Sequence, residues 1–291
     1  MQLVTWNTQW CCGLDGRVDV ARIVRHALSL GEVDVLCLQE IADGFDGLAG
    51  QPGRQPAQIE ALLPAGWRVF HGAAVDEWTA AGHQRFGNLI ATRLPVCQVQ
   101  HHPLPYPQDG GVRSMPRMAT VLTVQDPRLG PVRVTTTHLE FFSARQRMAQ
   151  ALALRALLLQ AAAQAACPPP ACTDGSPFQS RVHTPHAVLC GDFNLQAHAP
   201  EYAALGAPLT EQEAAGWAHA GDVPVHDAWR LLYPGQAQPP TFCVFDRRYE
   251  PEPVACDFVW VSDSLRRHVR ALAIDGQTQA SDHQPLWLSL S

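Results

Sequence analysis

The sequence predicts one domain that combines many short strands with a few amphipathic helices, and two observations lead there. Short β-rich runs recur along the whole chain, while helical patterns separate only some of them. At 291 residues, 46% hydrophobic and 16% charged, the chain has the composition of a globular protein with material for one large core or two small ones. The strands on both sides of each irregular stretch share one pattern of polar endings. Residues 1–291 are therefore expected to form a single domain, with a surface loop inserted at about 167–185.

The expected strands are Leu3–Trp6, Val33–Leu38, Asn88–Thr92, Ala119–Val124, Val132–Thr137, Ala187–Cys190, Phe258–Val261 and Leu286–Leu290. Val20, Ile23, Val24, Ala27 and Leu28 form an apolar stripe at helical spacing that stops at Gly31. Ser143 with Gln146 is a capping-box signature for a helix to about Ala166, ended by Pro168-Pro169-Pro170. Weaker helices are expected at Ala57–Leu63 and near Glu211–Ala218, the latter inside an irregular stretch from Gln196 to Pro224. From Cys167 to Pro185 the sequence is rich in Pro, Ser and Thr and reads as a loop. No internal repeat is visible.

Composition narrows the chemistry. All 21 basic residues are arginine, which excludes Schiff-base, adenylated-lysine and Walker-lysine mechanisms. With 27 acidic residues the net charge is −6, unlike a non-specific DNA coat, yet arginine remains well suited to phosphate. The nine cysteines include no CxxC pair and several lie in apolar runs, as expected of reduced thiols in a cytoplasmic protein. The start, Met1 to Trp6, has no basic region or signal-peptide core, and the apolar stretch Ala151–Ala166 is too short to insert in a membrane.

The strands end on polar side chains. Leu3–Trp6 runs into Asn7, Val33–Leu38 into Gln39-Glu40, Val132–Thr137 into His138, and Ala187–Cys190 into Gly191-Asp192-Phe193-Asn194. Ala255-Cys256-Asp257 opens one late strand and Ser281-Asp282-His283-Gln284-Pro285 leads into the last. No serine or cysteine nucleophile pattern accompanies them. A carboxylate such as Glu40 suits a hard divalent cation, the amides of Asn7 and Asn194 orient a phosphate oxygen or water without added charge, and an Asp–His pair suits acid/base work. Together these parts suit metal-assisted hydrolysis of a phosphoester. Taken singly, each has an ordinary reading too: Asp192 and Asn194 fit an Asx turn, and Asp257 with His283 fits a structural hydrogen bond. Cys167, Cys172, His183, His186 and Cys190 match no standard zinc spacing. Trp6, Trp10 and Trp260 read as core, and the histidines outside the motifs, among them His101 and His102, as loop residues.

Trp6-Asn7, Leu38-Gln39-Glu40, Thr137-His138-Leu139, Gly191-Asp192-Phe193-Asn194, Asp257-Phe258-Val259 and Ser281-Asp282-His283 stand in the order of the endonuclease/exonuclease/phosphatase superfamily, which the chain resembles from residue 4 to about 288. The resemblance implies a deoxyribonuclease-I-like α+β fold: a four-layered α/β/β/α sandwich, with two mostly antiparallel sheets face to face and helices outside. It implies a magnesium site, with manganese as the alternative, formed by Glu40 with Asn7 and Asp282. Asp192 would orient or deprotonate a water for in-line attack, and Asn194 would hold water or phosphate. His283 paired with Asp257 would stabilise the transition state or act as base, His138 would contact the phosphate, and Arg117, with Arg113 as rival, would bind substrate alongside Asn7. Thr241 falls where some relatives line the phosphate site. Gln9 replaces the aspartate usual in abasic-site endonucleases, and Ala255-Cys256 replaces the usual basic residue before the late aspartate.

The function so implied is a metal-dependent hydrolase of a phosphodiester or phosphomonoester. The alternatives are an endo- or exonuclease using the same site and, further off, an inactive binding module. The partner is a phosphorylated small-molecule, lipid-like or nucleic-acid substrate, with no obligate protein partner evident. Between Arg113 and Arg155 seven arginines face two acids, Asp126 and Glu140, a local surplus that would attract phosphate if the cleft lies there.

Overall fold

Strand burial on both faces organises the molecule. In the computed structural model, which describes residues 1–80, 82–217 and 225–291, β1 (Gln2–Asn7) turns Leu3 toward the facing sheet and Val4 and Trp6 outward under helices. In β2 (Val35–Asp43), Val35 and Cys37 point inward while Leu36 and Leu38 point outward. Strands covered on both sides read as continuous apolar runs, which is why the sequence shows them so clearly.

One sheet has the order β11 (Val269–Ile274), β12 (Leu286–Leu290), β1, β2, β4 (Gly82–Thr92), β3 (Arg68–Thr79). The other has the order β5 (Val96–Pro103), β6 (Met118–Asp126), β7 (Gly130–His138), β8 (Ala187–Asp192), β10 (Asp257–Val261), β9 (His226–Asp227). Among the described residues every pairing is antiparallel except β1 with β2 and β7 with β8. Each parallel pair is joined through a helix, α1 (Val20–Ser29) or α3 (Ala144–Ala166), because parallel neighbours need a crossover. Both sheets thus repeat one plan, a central parallel pair flanked by antiparallel strands, a likeness of topology that leaves no repeat in the sequence.

The sheets face each other across a core that includes Leu3, Val35, Ile90, Leu122, Val134 and Val259. Outside the first sheet lie α1 and α2 (Gln55–Leu62) on a cluster with Ile23, Leu38 and Ile59. Outside the second lie α3 and α4 (Pro200–Gly206), with Leu154, Leu158, Leu205 and Phe258 between. This is the expected α/β/β/α sandwich. The Asp19 side chain accepts from Arg22 N at the start of α1, and Ser143 from Gln146 N at the start of α3, caps each worth about 1 kcal/mol. All nine cysteines are free, six of them buried.

Several elements depart from expectation. β3, β5, β9 and β11 are additional to the expected strands, and α4 and α6 (Ala228–Leu232) to the expected helices. His101 and His102 lie on β5, opposite Thr120 and Ala119, and not on a loop. β5 is an edge strand whose residues alternate between half-buried and exposed, so its polar side chains disguise it. α5 covers Glu211–Gly216, and Ala218 lies outside the described residues.

The arginine surplus between residues 113 and 155 is dispersed. Arg147 pairs with Glu201 and donates to the carbonyls of Glu140 and Phe141, whereas Arg145 is exposed. Arg155 is buried, pairs with Glu213 and donates to the carbonyls of Ala204, Leu205, Ala207 and Pro208, tying α3 to the segment after α4.

Gly191 has a physical reason to be glycine. Its φ is +138°, and a Cβ there would run into the Thr137 carbonyl of the paired strand. Gly191→Ala is expected to lower stability by roughly 2–4 kcal/mol, from backbone strain and overpacking together. Urea unfolding measures it as a lower midpoint at constant slope; an unchanged midpoint would contradict the clash.

Candidate active site

The site is built where the parallel pairs of both sheets reach their carboxyl ends. In β2 the pairing with β4 shifts between Leu38 and Ile41, a bulge in which Glu40 takes a φ of +58°. The bulge releases Glu40 from the ladder, while alternation from Val35 and Cys37 points Gln39 into the space between the sheets. There Gln39 Nε2 donates to Thr5 Oγ1 at 3.2 Å and to Thr136 Oγ1 at 2.8 Å, bracing one sheet against the other below the site. After β8, Asn194 takes a φ of +50° and its backbone N–H donates to Asp192 Oδ1 at 2.9 Å. The Asx turn is therefore real, and it fixes one oxygen of Asp192 so that the other faces the site.

That second oxygen, Oδ2, is the meeting point. It accepts from Asn7 Nδ2 at 2.9 Å and lies 3.4 Å from His138 Nε2 and 3.6 Å from His283 Nε2. Asn7 Nδ2 also reaches Glu40 Oε1 at 3.2 Å, while its Oδ1 accepts from Gln9 N at 3.1 Å, so Asn7 steadies both carboxylates through its nitrogen. Asn194 Nδ2 donates to His138 Nε2 at 2.9 Å and to the Leu139 carbonyl at 2.8 Å.

The two histidines are held in opposite charge states. Burial opposes a charge on His283, but the carboxylates of Asp257 and Asp192 overcome it and push the imidazole well above its ordinary value. Its Nδ1 lies 2.9 Å from Asp257 Oδ2, which also accepts from Thr241 Oγ1 at 2.6 Å. Phe242 stacks on the ring at 4.4 Å between centroids, and Trp6 Nε1 donates to the His283 carbonyl at 2.9 Å. His138 goes the other way: burial, reinforced by the Arg117 charge, holds it well below the ordinary value, so it is neutral. Its Nε2 accepts from Asn194, which leaves the proton on Nδ1.

The carboxylates test the fit to a cation. Burial, then repulsion from Asp282, pushes Glu40 up to about 7, and burial raises Asp282 as well. Two half-buried acids that resist ionisation beside each other are what a hard divalent ion would stabilise, and their donors are oxygens. Asp192, Cys256 and His283 also offer ligand atoms within 4.8 Å of one another. Burial keeps the Cys256 thiol protonated, however, so that trio lacks the thiolate a soft metal would need. Among the described residues, Cys167, Cys172, His183, His186 and Cys190 form no such cluster.

Arg117, and not Arg113, reaches the site. Arg117 is 7% exposed, its Nε donates to Glu140 Oε2 at 3.1 Å, and its Nη1 is buried with no hydrogen-bond partner. Arg113 instead lies over the exposed ring of Phe142, 5.8 Å from its centroid. Glu140 and Gln39 escaped sequence reasoning. Glu140 is fully buried and accepts from the backbone of Met115 and Phe142 as well as from Arg117, fixing the guanidinium through Nε and leaving Nη1 unpaired. Thr241 contacts Asp257 and positions it.

The family model described as Endonuclease/Exonuclease/phosphatase family matches residues 4–283. No curated protein matches the sequence significantly. Among solved structures, an endonuclease/exonuclease/phosphatase from Beutenbergia cavernae DSM 12333 is 24% identical with a TM-score of 0.68, covering 100% of this chain and 72% of the other. A mannosyl-6-phosphatase from Bacteroides thetaiotaomicron VPI-5482 is 16% identical with a TM-score of 0.65, covering 100% and 99%. Truncated TDP2 from Caenorhabditis elegans is 18% identical with a TM-score of 0.61, covering 99% and 96%. At these identities the likeness is one of fold.

Proposed function

This chain belongs to the endonuclease/exonuclease/phosphatase family, and on that premise we propose that it is a magnesium-dependent hydrolase of small phosphodiesters or phosphomonoesters. The observation that carries the reading is the convergence of Asn7, His138 and His283, from three separate strand ends, on one oxygen of Asp192.

The roles follow from charge and geometry. Glu40 and Asp282 would hold the metal, with Asn7 steadying Glu40. When bound, the ion supplies Lewis-acid stabilisation to a phosphoryl oxygen. Asp192 is the base for the attacking water, because its Oδ2 is the acceptor aimed into the site while His283 already carries a proton. The imidazolium of His283, backed by Asp257, meets the negative charge that develops on phosphorus oxygens. Neutral His138 and the amide of Asn194 orient the phosphate, and Arg117 offers Nη1 to it.

The small-substrate reading is supported by how the arginines are spent. Arg117, Arg147 and Arg155 are each committed to an acid, and a polynucleotide needs several phosphate contacts along its track. No described helix is long and apolar enough to cross a membrane. Assay of a chromogenic phosphodiester, a phosphomonoester and plasmid DNA in parallel, with magnesium or with chelator, tests the proposal. Magnesium-dependent turnover of a small ester is expected; plasmid nicking alone at low enzyme would move the assignment to a nuclease, and no turnover on any of the three would favour a binding module.

A further inference from the structure

A polar cavity lies at the far end of the second sheet. Arg133 on β7 is five residues from His138, ~17 Å along the strand, at the end away from the catalytic cluster. The cavity has a volume of about 220 Å³, between β5, β6 and β7, the last turns of α3 and residues 181–184 of the loop after α3. Arg133, Arg181, His183, Gln98, Gln100 and Gln164 line it together with small and apolar residues, and no carboxylate does.

Arg133 is the unusual element. The two buried arginines of this stretch, Arg117 and Arg155, are each paired with an acid, whereas Arg133 is half-buried and pairs with none among the described residues. Arg133 makes one described side-chain hydrogen bond, from Nη1 to Gln100 Oε1 at 2.9 Å, leaving most of its five N–H donors for something else. Burial alone pushes its guanidinium down, with no nearby carboxylate compensating. A partly desolvated cation without a counter-charge is unfavourable, and an anion in the cavity would relieve it. The end of α3 opposes an anion with the equivalent of about half an elementary charge, against two full charges from Arg133 and Arg181.

We propose that this cavity is a binding site for a small doubly charged oxyanion, separate from the catalytic centre. Its volume is below the roughly 300–1,000 Å³ of pockets that take drug-sized ligands, so the occupant is inorganic phosphate or the phosphate group of a compact molecule. The glutamine amides supply neutral donors, and Arg133 supplies a fork that matches two phosphate oxygens. Because the loop contributes Arg181 and His183, the anion would also pin that loop to the sheet.

Calorimetric titration of the whole protein with inorganic phosphate, in chelator, is the test. Saturable binding is expected in the parent and in Arg117→Gln, with at least tenfold weaker binding in Arg133→Gln. Arg181→Gln, an exposed position that does not threaten folding, is expected to weaken binding at least threefold and decides the matter if Arg133→Gln does not fold. The proposal is overturned if Arg117→Gln removes all binding, which would place phosphate at the catalytic centre. It is equally overturned if Arg133→Gln and Arg181→Gln both bind like the parent, or if the parent shows no saturation.

Discussion

Replacing Glu40 with glutamine is expected to abolish magnesium-dependent turnover while leaving the metal-free protein at least as stable as the parent. The two effects separate because Glu40 serves a cation and costs the fold. Burial and the neighbouring Asp282 push its carboxyl up to about 7, so ionised Glu40 is unfavourable where it stands. Above the ordinary carboxylate range, the metal-free protein loses stability as pH rises toward that value, because the unfolded chain ionises more readily. Glutamine keeps the shape and an oxygen for Asn7 Nδ2 and removes the charge. Thermal melting in chelator should then show an equal or higher midpoint. Added magnesium should raise the midpoint of the parent and leave that of Glu40→Gln unmoved, since only a ligand that binds the folded state stabilises it. Loss of several kcal/mol of charge stabilisation corresponds to a fall in turnover of about 10²-fold or more. A Glu40→Gln enzyme with parental turnover would remove Glu40 from the metal site, whatever its melting curve.

What the sequence made legible, and what it did not, follows from the reach of each contact. β1, β2, β7, β8 and β10 are buried on both faces, and each carries a polar residue that the site uses: β1, β7 and β8 end on Asn7, His138 and Asp192, β2 holds Glu40 at its bulge, and β10 begins on Asp257. β3 is half-buried, carries Gly72 and runs through Asp76-Glu77 to an exposed end at Thr79, so its apolar residues form no clean run. The order of the motifs carried the fold because those polar ends must meet at one edge of the sandwich. Glu140 was invisible as a functional residue because its importance lies in holding Arg117, 23 residues earlier in the chain. Gln39 stood in full view beside Glu40, but its role as a strut to Thr136 requires knowing that β2 and β7 face each other. The arginine surplus misled for the opposite reason. It summed neighbours in sequence, whereas Arg117 and Arg133 sit at opposite ends of adjacent antiparallel strands and serve different places.

The Asp257–His283 pair gives the sharpest distinction between a structural hydrogen bond and a catalytic one. Asp257→Asn and His283→Ala are each expected to lower turnover by about 10²–10⁴-fold, the range of groups that manage a proton or its charge in the transition state. The double variant is expected to fall no further than the worse single, because Asp257 acts through His283 and removing the ring leaves it nothing to hold. Stability should respond differently. His283→Ala removes the ring under Phe242 and leaves a buried carboxylate with only Thr241 Oγ1 as its side-chain oxygen donor, a loss on the order of 3–5 kcal/mol. Asp257→Asn keeps an acceptor for both Thr241 and the imidazole and should cost less. A purely structural pair would reverse this pattern: turnover would survive in Asp257→Asn and track the melting midpoint in His283→Ala. Asp192→Asn completes the argument, since the asparagine retains the Asx turn to the Asn194 N–H but offers no base to water. If Asp192 is the base, its loss adds to that of Asp257, because the two carboxylates act on different atoms, one on the water and one through the imidazolium. If His283 is the base instead, Asp257→Asn would be the more damaging of the two, and the sum of the separate losses would exceed what the combined variant shows.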